Sequence, residues 1–173
     1  MLMAMSRTTT SKFSATLVLS LGLPATALAH VGGQTHSFMA GAVHPLSGMD
    51  HLLAMLAVGL LAGCAGGHMR WMVPASFVAF MAVGAMLGAN GVHVPLIEIG
   101  IAFSLVVFGS ALVVKRPLRA PALMAMAAAF ALFHGHAHGT EMGTDLSAAP
   151  YALGFMLATA SLHALGVLLT TRT

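Results

Sequence analysis

Apolar residues run through this chain in long, nearly unbroken stretches, without the alternation of a half-buried strand or the polar face of a soluble helix. Five stretches cover about 38 to 63, 71 to 88, 96 to 114, 120 to 138 and 150 to 170. Each is long enough to cross a hydrocarbon layer of roughly 30 Å, which takes about 20 helical residues. Gly66-Gly67, Asn90-Gly91, Pro117 with Pro121, and Pro150 mark the boundaries, as residues that end helices and make turns do. Gly, Ala and Ser are frequent inside the stretches, and small side chains let helices approach closely in a bilayer. The pattern predicts an all-α, polytopic transmembrane bundle of about five helices.

A different kind of segment precedes them. Arg7 and Lys12 lead into an apolar run ending in Ala27-Leu28-Ala29, which has the charged start, apolar middle and A-x-A site of a secretory signal. Residues 1–29 are therefore expected to be a cleavable signal peptide and 30–173 the transmembrane domain, with His30 as the periplasmic N-terminus; an uncleaved extra helix is the alternative. Charge placement agrees with that orientation. If residue 30 lies outside, the inner loops receive Arg70, Lys115, Arg116, Arg119 and Arg172, all the basic residues that remain, and cytoplasmic loops are where such residues collect. The outer segments hold Asn90 to His93 and the acids Glu141 and Asp145. A multi-pass membrane protein with its mature N-terminus outside is expected.

Composition reinforces this. Hydrophobic residues make up 58% of the chain and charged residues 6%, against about a quarter charged in soluble domains, so a water-soluble fold is excluded. The net charge of +3 comes from dispersed residues with no basic stripe, which argues against nucleic acid as a partner. Cys64 is the single cysteine; it can build neither an internal disulfide nor a thiolate cluster and is expected to be a small packing residue. Phosphate-loop, zinc-protease and nucleophile-elbow motifs are missing, so an enzyme, and ATP hydrolysis in particular, is not expected.

Polar residues inside the spans are then the candidates for chemistry, because an ionisable group in a bilayer is costly. The first span contains HPLSGMDH, residues 44 to 51. On a continuous helix His44 and His51 share a face and Asp50 does not. Pro45 and Gly48 allow a local break that turns all three towards one point and frees a carbonyl as a further ligand; a hydrogen-bonded pair that only locks two helices is the plainer alternative. The fourth span ends in FHGHAHGTE, residues 133 to 141. His134, His138 and Glu141, spaced i, i+4, i+7, stack on one face, while His136 points elsewhere and is expected to be solvated or to support the others. Imidazoles with carboxylates suit divalent Ni, Cu, Zn or Fe better than Mg or Ca. Glu98, at the head of the third span, is a metal ligand, a proton carrier or a solvated acid at a helix N-terminus. His163 in the fifth span is by default a satisfied core histidine, with a secondary metal or proton site as the alternative. His30 and His36 are placed to capture metal at the membrane entrance, and His68 belongs to the inner surface.

At HPLSGMDHLLAMLAVGLLAG and FHGHAHGTE the chain resembles the HupE/UreJ family of bacterial nickel permeases. The acid heading PLIEIGIAFSLVVFG and the segment YALGFMLATASLHALG match as well, so the likeness covers nearly the whole mature chain. The resemblance implies uptake of Ni²⁺, with Co²⁺ as the alternative, for hydrogenase or urease maturation. Its His-x5-Asp-His motif falls on His44, Asp50 and His51, and its second motif on His134, His138 and Glu141. Nickel would be the transported substrate, with no permanently bound cofactor. Two departures stand out: many relatives carry Pro where this chain has Gly143, and the family's sixth mature helix is apparently missing, which makes a homo-oligomer one way to close the bundle. Readings of another class are an intramembrane metalloenzyme and an outer-face metal-binding accessory or sensor protein. Uptake needs no ATP, since a divalent ion entering through 100 mV gains about 4.6 kcal/mol.

Overall fold

The structure, a computed structural model, describes residues 37–114, 118–142 and 148–171. Six helices account for nearly all of them: α1 (Phe38–Ser47), α2 (Met49–Ala65), α3 (Met69–Ala89), α4 (Ile97–Val114), α5 (Ala120–Met142) and α6 (Ala149–Thr171). Each of α3 to α6 is long and apolar enough to cross a membrane, and α1 with α2, bent by 85° at the break between them, makes a fifth when the pair is counted as one span. The polytopic bundle expected from the hydrophobic stretches is thus present, with its first span broken. The predicted signal peptide at 1–29, with His30, His36 and Asp145, lies outside the described residues.

The break has local causes. Ser37 caps α1 by accepting the Ala40 N–H at 3.1 Å. Pro45, in the last turn of that helix, offers no N–H to the ladder. Gly48 then adopts an extended conformation (φ −101°, ψ 120°) before α2 starts with Asp50 in its first turn, where a carboxylate is favoured by the helix dipole. One carbonyl near the break is in use, since the Ser47 hydroxyl donates to the His44 carbonyl at 2.7 Å.

Two glycine pairs draw α3 and α5 together. A Cβ at Gly84 would collide with the Leu132 carbonyl and one at Gly88 with the His136 carbonyl; reciprocally, Gly135 meets the Met81 carbonyl and Gly139 the Ala85 carbonyl. Both helices therefore present a small-xxx-small face, the arrangement that allows backbone contact between membrane helices. Gly41 against Tyr151, Gly154 against Phe38, and Gly59 against His163 do the same for the broken span and α6. Because Gly135 and Gly139 each follow a histidine directly, pressing the glycine face onto α3 turns the His134/His138 stripe about 100° round the helix.

Large apolar side chains such as Trp71, Met86, Phe103, Val113 and Leu157 cover the outside, while Ser104, His134, Thr159 and His163 are buried among Met55, Val58, Val73, Phe77 and Phe108. Lipid is the solvent that suits such a surface, and the bundle interior is where a membrane protein keeps its polar side chains. Cys64, expected to be packed, is exposed instead, because the contact face of α2 near its end is carried by Gly63, which lies against Thr170.

Candidate metal centre

The bend between α1 and α2 brings both histidines of the first span towards α5. His44 and His51 have ring centroids 6.3 Å apart, and His138 lies 4.8 Å from His44 and 4.7 Å from His51. Three imidazoles from three helices thus meet about one turn from the end of α5. Phe155 packs on His138 at 4.3 Å and on His44 at 5.9 Å, and Tyr151 lies against His44 at 5.8 Å, so α6 closes the cluster with aromatic surface. Arg70 begins α3 and Arg119 precedes α5, which places both at the opposite end of the bundle.

Proton positions within the cluster follow from what each group is able to donate. The carboxylate of Asp50 accepts from the His51 backbone N–H at 2.9 Å and from His51 Nδ1 at 3.3 Å. With that proton on Nδ1, His51 Nε2 is an acceptor, and it lies 2.8 Å from His138 Nε2, which must donate. A neutral imidazole carries one N–H, so His138 Nδ1 is left with a bare lone pair. That nitrogen has no hydrogen-bond partner among the described residues and lies 3.7 Å from Glu141 Oε2. Both atoms are open to a cation placed between them.

The donor set is completed by His44. One donor atom from each of His44, His138 and Glu141 lies within 4.8 Å of the other two. Metal bonds of about 2.0–2.2 Å to imidazole and carboxylate require donors roughly 3 to 3.5 Å apart, so side-chain shifts of about 1 to 2 Å would close the set. Glu141, with its side chain 67% exposed, has room to move towards the two imidazoles. Asp50 is half-exposed and pairs with His51 at 3.3 Å, while the three donors that come together are those of His44, His138 and Glu141. A carboxylate behind an imidazole in this way raises its basicity and holds its tautomer.

The remaining expected residues separate by depth. His134, one turn below His138, is fully buried; its ring centroid is 5.0 Å from His51 and its Nε2 is 3.1 Å from Ser104 Oγ. It shares the stripe with His138 but not the contact with Glu141. His136 is neither solvated nor at the cluster: it is buried, and its Nε2–H donates to the Val92 carbonyl at 2.6 Å, tying α5 to the turn after α3. Glu98 is exposed in the first turn of α4, and no described ion pair joins it to the histidines. His163 is buried, yet neither ring nitrogen has a hydrogen-bond partner among the described residues, so it departs from the satisfied core histidine that was expected. His68 is exposed at the start of α3, as a surface residue should be. Two G-x-x-x-G spacings, Gly84 with Gly88 on α3 and Gly135 with Gly139 beside the histidines of α5, are visible in the sequence as a contact signal; the His51 to His138 contact leaves none.

Bundle and cluster together define a multi-pass membrane protein with a histidine-rich site inside its span region. The chain belongs to the HupE/UreJ family, whose description, HupE / UreJ protein, matches residues 17–173. It is 42% identical over 157 residues to Protein HupE of Rhizobium leguminosarum bv. viciae, covering 91% of this chain and 82% of that relative. No solved structure matches it.

Proposed function

We propose that this protein is a secondary permease that carries a divalent transition-metal ion, Ni²⁺ before Co²⁺, inward across a bacterial inner membrane to supply metalloenzyme maturation. The observation that carries the reading is the meeting of His44 and His138 with Glu141 at one end of the bundle, backed by the Asp50 to His51 pair. Imidazole with carboxylate is a donor set for a first-row divalent ion, and family membership favours nickel among these.

Several features support capture at this end. Glu141 is exposed and able to meet an incoming ion, while His138 is 3% exposed and holds its open nitrogen towards it. The basic residues Arg70 and Arg119 at the far end fit a cytoplasmic face there, which makes the histidine end periplasmic. An inside-negative potential then draws the ion inward, worth about 2.3 kcal/mol per charge for each 100 mV.

The test is radiotracer ⁶³Ni²⁺ uptake by proteoliposomes under an imposed inside-negative potential. Saturable, potential-dependent uptake above that of protein-free vesicles is expected. Tight nickel binding with no uptake would instead identify a binding protein.

A further inference from the structure

Below the His44, His138 and Glu141 centre the bundle contains a second group of buried polar atoms that no hydrogen bond explains. Ser104 Oγ donates to the Ile101 carbonyl at 2.6 Å, which uses its only hydrogen. It must therefore accept from His134 Nε2 at 3.1 Å, leaving His134 Nδ1 as a bare lone pair with no partner. Thr159 Oγ1 and both ring nitrogens of His163 are likewise without a hydrogen-bond partner among the described residues, and all three side chains are fully buried. Thr159 and His163 are four residues apart, on one face of α6. A buried polar group without a partner costs about 1–3 kcal/mol, so three in the bundle interior are an expense that packing alone would remove by using Leu, Val or Phe.

Their order along the bundle is informative. His134 lies eight residues, or about 12 Å, from the Glu141 end of α5, and His163 lies eight residues from the opposite end of α6. Phe77, fully buried on α3, touches both rings, with its centroid 5.9 Å from His134 and 5.0 Å from His163. At the His163 level α2 and α6 are in backbone contact, a Cβ at Gly59 colliding with the His163 carbonyl, so the imidazole is held at a tight crossing. Imidazole nitrogen is a donor for a first-row divalent cation, and the Thr159 hydroxyl adds a neutral oxygen one helical turn away on the same face of α6.

We propose that His163 and Thr159 form a second cation-binding station deep in the bundle, which receives the ion from the outer centre by way of His134. The inference rests on the permease reading and extends it: capture belongs to His44, His138 and Glu141, whereas passage to the far side requires His163. A single tight site would hold its ion; two stations in series let it leave, as conduction demands.

The experiment compares wild type with His163→Phe, His163→Gln and Thr159→Val, each measured for membrane abundance, equilibrium ⁶³Ni²⁺ binding by the purified full chain, and uptake in proteoliposomes. His163→Phe should accumulate as well as wild type or better, since it replaces an unpartnered imidazole by an apolar ring. It should bind one nickel fewer per chain and lose at least about tenfold in uptake. His163→Gln, which keeps an oxygen donor, should fall between the two. Wild-type uptake and stoichiometry in both His163→Phe and Thr159→Val would overturn the deep station while leaving the permease intact. If wild type binds nickel without transporting it, the permease reading fails and the stoichiometry of His163→Phe still decides whether the second site exists. Should His163→Phe not accumulate, unchanged stoichiometry and uptake in His163→Gln and Thr159→Val would overturn the proposal.

Discussion

The two segments that supply the outer histidines do so in opposite ways. α5 is one unbroken helix, so His134, His138 and Glu141 are placed by helical periodicity alone, and the glycines between them set the direction in which the stripe faces. The first span reaches the same point by being broken, with His44 on one side of an 85° bend and Asp50 and His51 on the other. A straight helix offers ligands at fixed depth intervals, whereas a bent one brings side chains seven residues apart to a single level. The bent segment is also the one that needs polar support: Ser47 on the His44 carbonyl, and Asp50 on His51.

The largest difference between the segments should appear at the residue they share. His138→Ala removes the nitrogen that faces Glu141 and the donor to His51 together, so nickel uptake should fall by about a hundredfold or more at unchanged membrane abundance. Asp50→Asn touches only the support of the bent segment. It should lower uptake by roughly tenfold to a hundredfold, while immunoblotting shows wild-type or higher abundance, since the substitution removes a charge from a membrane segment. Loss of abundance in proportion to uptake would return Asp50 to a helix-locking role.

Glycine substitutions sharpen the contrast. A Cβ at Gly48 would lie 2.9 Å from Asp50 Oδ1 and 3.5 Å from His51 Nδ1, so Gly48→Ala should disturb that pair and reduce uptake several-fold with little effect on folding. Gly139→Ala meets the Ala85 carbonyl instead and should cost about 1–3 kcal/mol of stability, read as a lower melting temperature in detergent. The smallest effect is expected at His136→Gln. Weakening the bond to the Val92 carbonyl should cost about 1 kcal/mol, with uptake per folded molecule unchanged.

Much of the architecture is legible in the sequence. Apolar length marks the five spans, and the i, i+4, i+7 spacing predicts that His134, His138 and Glu141 share a face of α5. Pro45 and Gly48 mark where the first span could break, but the size and direction of the bend depend on Gly41 and Gly154 pressing α1 against α6, which is tertiary. For the same reason Asp50 was expected in one shell with His44: the chain places three polar residues close together without saying that one would stand behind another. His136 was misread because its partner, the Val92 carbonyl, is 44 residues away in sequence. For His163, position in an apolar span indicates burial, but its unpartnered nitrogens become visible only when every neighbour is in place.

If His44, His138 and Glu141 hold the ion directly while His51 and Asp50 act from behind, removing His51 and removing His138 should change the metal's ligands differently. Nickel X-ray absorption on the purified protein tests it, measured with His163→Phe as the background so that only the outer centre fills. The spectrum should report two imidazoles and a carboxylate. Adding His51→Ala should leave the imidazole count at two, and adding His138→Ala should reduce it to one. Loss of an imidazole on adding His51→Ala, with none lost on adding His138→Ala, would contradict the arrangement.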